Sequence, residues 1–242
     1  MSRIFVTGSA DGLGRSAADA LLQERHDVVV HVRSPGRADA VADLVDRGAS
    51  VVVGDLADPE ATRDVADQVN GLGRMDAVIH NAGVHTGPAI LRVNVVAPYV
   101  LTALIDRPDR LVYLSSNDHF GGRAAVLRDV DWGDPAGRYA DSKLLVTALS
   151  AALARRWSDT TVSAVDPGWV PTRMGGAGAP DDLVEGHRTQ TWLAVADDAE
   201  ARTSGGYWFH RERQDPHEAV TDERFQDELV ESLERHTGLA LD

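Results

Sequence analysis

Hydrophobic and polar positions along the chain follow two alternating patterns. Short apolar, often β-branched runs indicate strands, and the longer alanine- and leucine-rich stretches between them indicate helices. The predicted strands cover residues 3–7, 28–32, 50–54, 77–80, 110–115, 161–165 and 207–210. The predicted helices start near Leu13, Arg37, Pro59, Ala89, Arg138, Asp181 and Asp222. This alternation predicts a doubly wound parallel sheet of about seven strands with helices on both faces, a three-layer α/β/α fold.

Two segments add detail to this plan of one domain over residues 1–242. Residues 174–182, MGGAGAPDD, are too rich in glycine for a core element. The region around 169–195 is therefore interpreted either as a substrate loop that acts as a mobile lid or as a long surface loop. Residues 222–238 have the amphipathic pattern of a helix that closes the domain.

Charge and composition narrow the range of partners. The chain of 242 residues has a net charge of -14 and no cysteine. The negative charge argues against nucleic acid or an anionic membrane surface as a partner, and thiol chemistry is excluded. The first residues lead straight into a strand without a targeting segment, and no apolar run approaches the length of a membrane span. The sequence predicts a cytoplasmic protein that binds small molecules.

A glycine-rich turn, TGSADGLG, joins the first predicted strand to the first predicted helix. Gly8, Gly12 and Gly14 lie in this turn, where glycine lets backbone amides approach a pyrophosphate and the helix N-terminus supplies positive potential. A plain tight turn is the alternative, because a glycine-rich turn alone is weak evidence. Its position after the first strand favours a dinucleotide site.

The end of the second strand indicates which dinucleotide is bound. An NAD site usually has an acidic residue there, which contacts the ribose 2′-hydroxyl. Here the strand ends with Arg33, whose guanidinium can bind a 2′-phosphate through two hydrogen bonds. A solvated arginine is the simpler alternative. Arg15 is a weaker phosphate candidate, and the carboxylate of Asp11 is mildly unfavourable beside phosphates. NADP is therefore predicted in preference to NAD.

Tyr139 and the only lysine of the chain, Lys143, are separated by one helical turn. Residues at i and i+4 share a helix face, so the phenol and the ammonium are expected to point into one space. A free tyrosine has a pKa of about 10, which a nearby cation would lower towards the range of efficient proton transfer. Chance is the alternative, because this spacing is common.

Other polar residues lie where parallel strands end, the edge at which open α/β sheets bind ligands. Ser115 and Ser116 end one predicted strand, and a serine hydroxyl there could bond a substrate carbonyl. Asn81, Ala82 and Gly83 end another. Asn94 lies within an apolar run, where it either clips the backbone or belongs to a proton path. Beyond the sixth strand are the turn residues Pro167 and Gly168, and Thr172, which could hold a nicotinamide amide.

Together these motifs resemble the short-chain dehydrogenase/reductase family, in family order and over nearly the whole chain. They are TGSADGLG, DL at 55–56, NAG, Asn94, the serine pair, YADSK and PGWVPT. The resemblance implies a Rossmann-like NAD(P)-binding domain. It implies that Tyr139 exchanges the proton, Ser116 binds the carbonyl, Lys143 anchors the ribose and Asn94 holds a relay water. The implied cofactor-binding residues are Gly8, Ser9, Asp11, Gly12, Leu13, Gly14, Arg33, Asp55, Leu56, Asn81, Ala82, Gly83, Tyr139, Lys143, Pro167, Gly168, Val170 and Thr172.

The chain departs from the common family pattern in two places. The stretch between Ser116 and Tyr139 is long and is similar to that of the retinol-dehydrogenase-like branch, which also favours NADP. In that branch His119 would lie near the pocket, although a surface position is the simpler expectation for a lone histidine. The short segment after Asn94 shortens a helix that is often used in dimer packing, so either a monomer or a homodimer is expected.

The leading functional hypothesis is an NADP(H)-dependent oxidoreductase that transfers hydride between nicotinamide and the carbonyl or secondary alcohol of a small apolar substrate. A non-catalytic NADP-binding sensor or regulatory protein is an alternative, but it would not need serine, tyrosine and lysine together. A sugar-nucleotide epimerase or dehydratase is another, although such enzymes generally carry a larger C-terminal substrate domain. The histidines lack metal-site spacing, so no metal is expected.

Overall fold

The structure is a computed structural model that describes residues 1–133 and 137–241, and strands of this part form one sheet. The strands are β1 (Arg3–Val6), β2 (Asp27–Val32), β3 (Ser50–Val53), β4 (Ala77–His80), β5 (Arg110–Leu114), β6 (Thr161–Asp166), β7 (Gly206–Phe209) and β8 (Glu212–Gln214). Their order is β3-β2-β1-β4-β5-β6-β7-β8, and only β8 pairs in antiparallel fashion within this described sheet. The predicted doubly wound α/β fold is confirmed. The additional strand β8 escaped prediction because its three residues are polar and exposed.

Helices cover both faces of the sheet. They are α1 (Gly12–Gln23), α2 (Ala42–Val45), α3 (Pro59–Gly71), α4 (Ala97–Leu104), α5 (Tyr139–Arg156), α6 (Leu183–Val195), α7 (Glu218–Thr221) and α8 (Glu223–Thr237). The start predicted near Arg37 lies in a 3-10 segment, Pro35–Val41, and a π-helical turn, Arg92–Val96, precedes α4. Asp58, Asp182 and Asp222 begin α3, α6 and α8, where each carboxylate accepts two backbone N–H groups.

Two apolar layers hold the helices to the sheet. Residues of α3, α4 and α5 form one core with one face of the sheet, and residues of α1 and α6 form the other core with the opposite face. Helix α8 lies over α5 and adds Phe225, Leu229 and Leu233 to the first core. The phenol of Tyr99 in α4 donates to the carbonyl oxygen of Leu239 at 2.7 Å. The amphipathic terminal helix therefore packs on α5, and the residues that follow it reach α4.

The strand order reverses between β1 and β4, so the loops that follow these two strands diverge and leave a crevice at their carboxyl ends. The glycine loop follows β1, and Asn81–Gly83 follow β4. Across the described residues, no helix has the combination of length and apolar character that crossing a bilayer requires.

Candidate active site

A cleft of about 670 Å³ opens at this crevice, a size within the range of roughly 300–1,000 Å³ that is typical of small-molecule sites. Most of the predicted cofactor residues line it. They are Gly8, Asp11, Gly12, Leu13, Arg33, Asp55, Leu56, Asn81, Ala82, Gly83, Tyr139, Lys143, Pro167 and Thr172. The other predicted site residues, which lie outside the lining, are Ser9, Gly14, Asn94, Ser116, Gly168 and Val170.

The glycine loop is folded tightly against the strand end of β4. Gly8 has a positive φ of 68°, and a Cβ atom there would lie 2.9 Å from the Cα of Ala82. A Cβ atom at Gly14 would lie 2.6 Å from the carbonyl oxygen of Gly8. Both positions therefore require glycine. Ser9 is buried, and its hydroxyl bonds the backbone of Val6 and His31, so its side chain shapes the loop and does not face the cleft.

His31, in β2, is a buried support of this loop that the sequence analysis missed. Its Nδ1 accepts the N–H of Gly8 at 3.0 Å, so the ring proton is on Nε2, which donates to the carbonyl oxygen of Gly54 at 2.8 Å. Burial lowers the pKa of His31, which keeps the ring neutral, although Gly54 and Asp55 oppose this effect. A neutral imidazole thus joins the ends of β2 and β3 to the glycine loop. His31 could have been singled out from the sequence, because it is a polar residue within an otherwise apolar run of the strand.

Arginines collect at the end of the cleft beside β2. Arg33 is exposed and lines the cleft, as the phosphate prediction requires. Arg37 also lines it, and its guanidinium contacts the carboxylate of Asp11 at 3.0 Å. Arg173, from the segment after β6, reaches the same carboxylate at 3.3 Å. Arg15 faces away, because it pairs with Asp43 at 2.7 Å. The weaker phosphate candidate, Arg15, lies outside the cleft lining and stays a prediction, whereas Arg37 and Arg173, which line the cleft, were not singled out from the sequence.

Tyr139 and Lys143 meet at the inner end of the cleft. The Lys143 ammonium is buried, lies 5.4 Å from the centre of the Tyr139 ring and donates to the carbonyl oxygen of Leu114 at 2.7 Å. A Cβ atom at Gly83 would lie 3.7 Å from this ammonium, so glycine leaves the approach open. The structure thus brings together the phenol, the ammonium and the loop after β4, as the helical spacing predicted.

The acidity of this pair differs from expectation. Burial raises the pKa of Tyr139 to about 12, with further increases from Asp118 and Asp166, and a side-chain hydrogen bond with Ser116 lowers it in part. Burial also lowers the pKa of Lys143 to about 8. The predicted lowering of the phenol pKa is therefore wrong for this structure, because burial of the phenol has the largest effect on its pKa. The phenol is a proton donor at neutral pH.

The two serines after β5 point in different directions. The Ser115 hydroxyl is buried and bonds the Thr147 hydroxyl at 2.6 Å. Ser116 is only partly buried, its hydroxyl accepts the N–H of Asp118 at 3.2 Å, and it lies near enough to the Tyr139 phenol to lower the pKa of that phenol. Ser115 lines the cleft but its hydroxyl is already bonded to Thr147, whereas Ser116 lies outside the lining beside Tyr139, so the assignment of the carbonyl-binding role to Ser116 stays a prediction.

His119 is fully buried, so the expected surface position is wrong. Its Nδ1–H donates to the carbonyl oxygen of Ser116 at 2.8 Å, and its Nε2 accepts the N–H of His217 at 2.9 Å. The ring also packs against Tyr207, with centroids 4.7 Å apart. His119 thereby ties the Ser116 turn to the C-terminal segment, a role that depends on residues far apart in sequence.

Asn94 lies in the π-helical turn, and its amide closes a ring with the backbone of Val84. Its Oδ1 accepts the Val84 N–H at 2.8 Å, and its Nδ2 donates to the Val84 carbonyl oxygen at 2.9 Å and to the Ser142 hydroxyl at 2.9 Å. This is the backbone-clip alternative of the sequence analysis. Asn94 thereby connects the loop after β4 to Ser142. Because Ser142 in turn donates to the Tyr139 carbonyl oxygen at 2.7 Å, this loop is held beside Tyr139.

Asp166, at the end of β6, lies near Tyr139 and Lys143 and joins the turn after β6 to β7. Its carboxylate accepts the backbone N–H of Gly168 at 2.9 Å and the Tyr207 phenol at 3.4 Å. Burial raises the pKa of Asp166. The carboxylate raises the pKa of both Lys143 and Tyr139, but by less than burial shifts either group.

The segment proposed as a lid is only partly a loop. Residues 167–182 lack regular structure, whereas the rest of the predicted region, 183–195, is helix α6 packed against α1. Gly168 faces the Asp181 carboxylate, and Val170 is buried against Gly186, so neither side chain position faces the cleft. Met174 reaches the cleft, while Trp169 is 60% exposed. Whether 174–190 closes over a substrate stays a prediction.

Comparisons with known proteins agree with this arrangement. A model of the short chain dehydrogenase family matches residues 2–104. The short-chain dehydrogenase chry4 of Gibberella zeae is 37% identical over 257 aligned residues, which cover 100% of this chain and 99% of that protein. The chain belongs to the short-chain dehydrogenase family.

Solved structures support the same fold. An uncharacterized protein from Mycobacterium paratuberculosis superposes with a TM-score of 0.84 at 24% identity, covering 100% of this chain and 95% of that one. A Beutenbergia cavernae structure described as an NAD(P)-dependent gluconate 5-dehydrogenase, with NADP bound at low occupancy, has a TM-score of 0.70 at 26% identity. It covers 86% of this chain and 94% of its own. The predicted family and enzyme class, an oxidoreductase, are confirmed.

In this short-chain dehydrogenase, the part of the chain that the structure describes contains no group of three or more histidine or acidic side chains that could hold a metal ion. The resemblance to the retinol-dehydrogenase-like branch rests on the stretch between Ser116 and Tyr139. There the structure shows two 3-10 segments, Asn117–Gly121 and Ala124–Asp129, and three residues of the stretch, 134–136, lie outside the described part.

Proposed function

We propose that this short-chain dehydrogenase uses NADP(H) to interconvert a carbonyl and a secondary alcohol of a small apolar substrate. One observation carries the proposal: Tyr139 and Lys143 meet in the cleft that begins at the glycine loop and has Arg33 at its other end. A single cleft therefore offers a place for a dinucleotide and a proton donor where a substrate would react.

The residues present fit a dinucleotide. Gly8 and Gly14 keep the loop compact, and no side-chain cap occupies the described N-terminus of α1, so its backbone amides remain available for a pyrophosphate. Arg33 would bind the 2′-phosphate, Asp55 the adenine, Lys143 the ribose hydroxyls and Thr172 the nicotinamide amide. The cofactor supplies hydride chemistry when bound.

Tyr139 would donate its phenol proton to the carbonyl oxygen of the substrate, and Ser116 would hydrogen-bond the same oxygen. A phenol with a pKa of about 12 is protonated throughout the physiological range, which is the form that reduction of a carbonyl requires. Asn94 would have a positioning role, because its amide bonds the backbone of Val84 and so holds that loop beside the reacting groups. The predicted relay water at Asn94 stays a proposal.

The substrate side of the cleft carries the apolar residues Val84, Val93 and Met174, which supports an apolar substrate. The long stretch between Ser116 and Tyr139 supports a retinol-dehydrogenase-like branch. Either a monomer or a homodimer is compatible with these proposals.

A sensor that binds NADP without catalysis is the second candidate, because the cofactor half of the cleft would serve it equally well. The buried Tyr139–Lys143 pair argues against it, since a sensor has no need for a desolvated proton donor. A sugar-nucleotide epimerase or dehydratase is a weaker candidate, because β7 to α8 complete the α/β layers without a separate substrate domain in the described chain.

The experiment is a panel of aldehydes, ketones and nucleotide sugars in which NADPH absorbance is followed, with NADH in parallel. Turnover of a ketone or aldehyde with NADPH is expected. Binding of NADPH without turnover of any compound would favour the sensor, and turnover of nucleotide sugars alone would favour the epimerase or dehydratase.

The Arg33→Asp variant tests the cofactor assignment. The change replaces a phosphate-binding cation with a carboxylate, so NADPH affinity should fall roughly 10- to 100-fold relative to NADH affinity. Fluorescence titration with both dinucleotides measures the ratio. An unchanged ratio would remove Arg33 from the phosphate site. Arg47→Asp, at a distant ion pair with Asp19, is the control.

A further inference from the structure

Asp11 occupies the N-cap position of α1 but does not cap the helix. The aspartates that begin α3, α6 and α8 each accept two backbone N–H groups. Within the described structure, the Asp11 side chain accepts none from α1. Its carboxylate instead contacts the guanidinium of Arg37 at 3.0 Å and that of Arg173 at 3.3 Å. A cap residue has thus been turned from the helix towards two cleft arginines.

The two arginines beside β2 consequently differ in whether an internal carboxylate already pairs with them. Arg33 lines the cleft, and no ion pair within residues 1–133 and 137–241 involves it. Arg37 lines the same end of the cleft, but its charge is compensated by Asp11. A 2′-phosphate bound at Arg33 would therefore compete with an internal carboxylate for the second guanidinium.

We propose that Asp11 determines cofactor specificity by holding Arg37 in place of a 2′-phosphate, which limits the preference for NADPH over NADH. The proposal rests on the proposed function, because it requires NADP(H) in this cleft. Phosphate and carboxylate are alternative anions for one guanidinium, and both form charge-assisted hydrogen bonds with it. The pyrophosphate is common to both dinucleotides, so any repulsion between it and Asp11 cancels in the affinity ratio.

The Asp11→Asn variant tests this idea, because it removes the charge and retains the shape of the side chain. The ratio of the NADH to the NADPH dissociation constant, measured by fluorescence titration at low salt, should rise roughly three- to tenfold. The gain should shrink at high salt, since screening weakens exposed charge pairs. Asp19→Asn, which breaks the surface pair between α1 and Arg47, should leave the ratio unchanged.

A double-mutant cycle assigns the gain to Arg37. Arg37→Gln alone should lower the ratio, because the Asp11 carboxylate loses one of its two cations and repels a 2′-phosphate more strongly. Asp11→Asn combined with Arg37→Gln should return the ratio close to the wild-type value and so lose the gain. The inference would be overturned if Asp11→Asn bound NADH and NADPH more tightly by the same factor. It would also be overturned if the double variant kept the raised ratio of dissociation constants. Failure of the wild-type protein to bind NADPH would instead refute the proposed function, so the two failures are distinguishable.

Discussion

The cofactor half and the catalytic half of the cleft are held together by different interactions. On the cofactor side, buried neutral hydrogen bonds and partly exposed ion pairs connect the loops: His31 bonds Gly8 and Gly54, Asn81 bonds the carbonyl oxygen of Thr7 at 2.8 Å, and Asp11 pairs with Arg37 and Arg173. On the proposed catalytic side, ionisable groups with shifted pKa values, Tyr139, Lys143 and Asp166, lie close together. The comparison teaches that the charged groups of the cofactor side stay partly in solvent and are paired with each other, whereas the ionisable groups of the other side are largely removed from solvent.

Among these variants, Tyr139→Phe should show the largest difference between its effect on turnover and its effect on cofactor binding. Loss of the phenol proton should lower kcat roughly 100- to 10,000-fold, while the NADPH dissociation constant changes little, because the cofactor half is intact. Steady-state kinetics and fluorescence titration measure the two quantities. Tyr99→Phe is the matched control, since this buried phenol contacts Leu239 far from the cleft. Turnover by Tyr139→Phe close to that of the native enzyme would contradict the assignment.

Gly14→Ala should damage the cofactor half. The added methyl group would crowd the Gly8 carbonyl oxygen and Asn81, which should destabilise the fold by about 1–3 kcal/mol and weaken NADPH binding. Urea unfolding and titration measure both effects. Gly36→Ala is the control, because a Cβ atom there meets nothing within 4 Å. An unchanged NADPH affinity in Gly14→Ala would contradict this prediction, because it would show that the glycine loop can shift to accommodate the methyl group without loss of cofactor binding.

The pH profile of reduction tests the buried charge of Lys143. With a pKa of about 8, the ammonium loses its proton as the pH rises through 8, so kcat/KM should decline on the alkaline side. Lys143→Arg keeps its charge at these pH values, so its lower activity should show no such decline. The same alkaline decline in both proteins would assign the titration to another group.

Acid should reduce stability through the neutral histidines. Burial lowers the pKa of His31 and His119, and it lowers that of His80 to about 3. The native state therefore binds fewer protons than the unfolded state below about pH 6.5, and the free energy of unfolding should fall as the pH drops from there. The slope is about 1.4 kcal/mol per pH unit for each proton taken up on unfolding.

His31→Asn should reduce this slope, because Asn keeps an acceptor for the Gly8 N–H but does not titrate. Urea unfolding between pH 7.5 and pH 5 measures the slope. His187→Asn, in α6 and partly exposed, controls for the loss of a histidine elsewhere. An unchanged slope in His31→Asn would mean that His31 does not contribute to the acid sensitivity.

The sequence by itself determined the elements and the motifs that are local. Strand and helix alternation, the glycine loop and the shared face of Tyr139 and Lys143 all follow from residues a few positions apart, because backbone periodicity is set locally. Strand β8 was not predicted, because its three residues are polar and exposed and show no hydrophobic pattern.

Only the tertiary structure decided which side chains pair and how far they are desolvated. Asp11 meets Arg37 and Arg173, and His119 meets His217, through segments that lie far apart in the sequence. The pKa of Tyr139 rises where a lone tyrosine–lysine spacing predicted a fall, since burial by the surrounding fold has the largest effect on it. Burial and long-range pairing depend on how distant segments pack, and the spacing of residues along the chain does not contain that information.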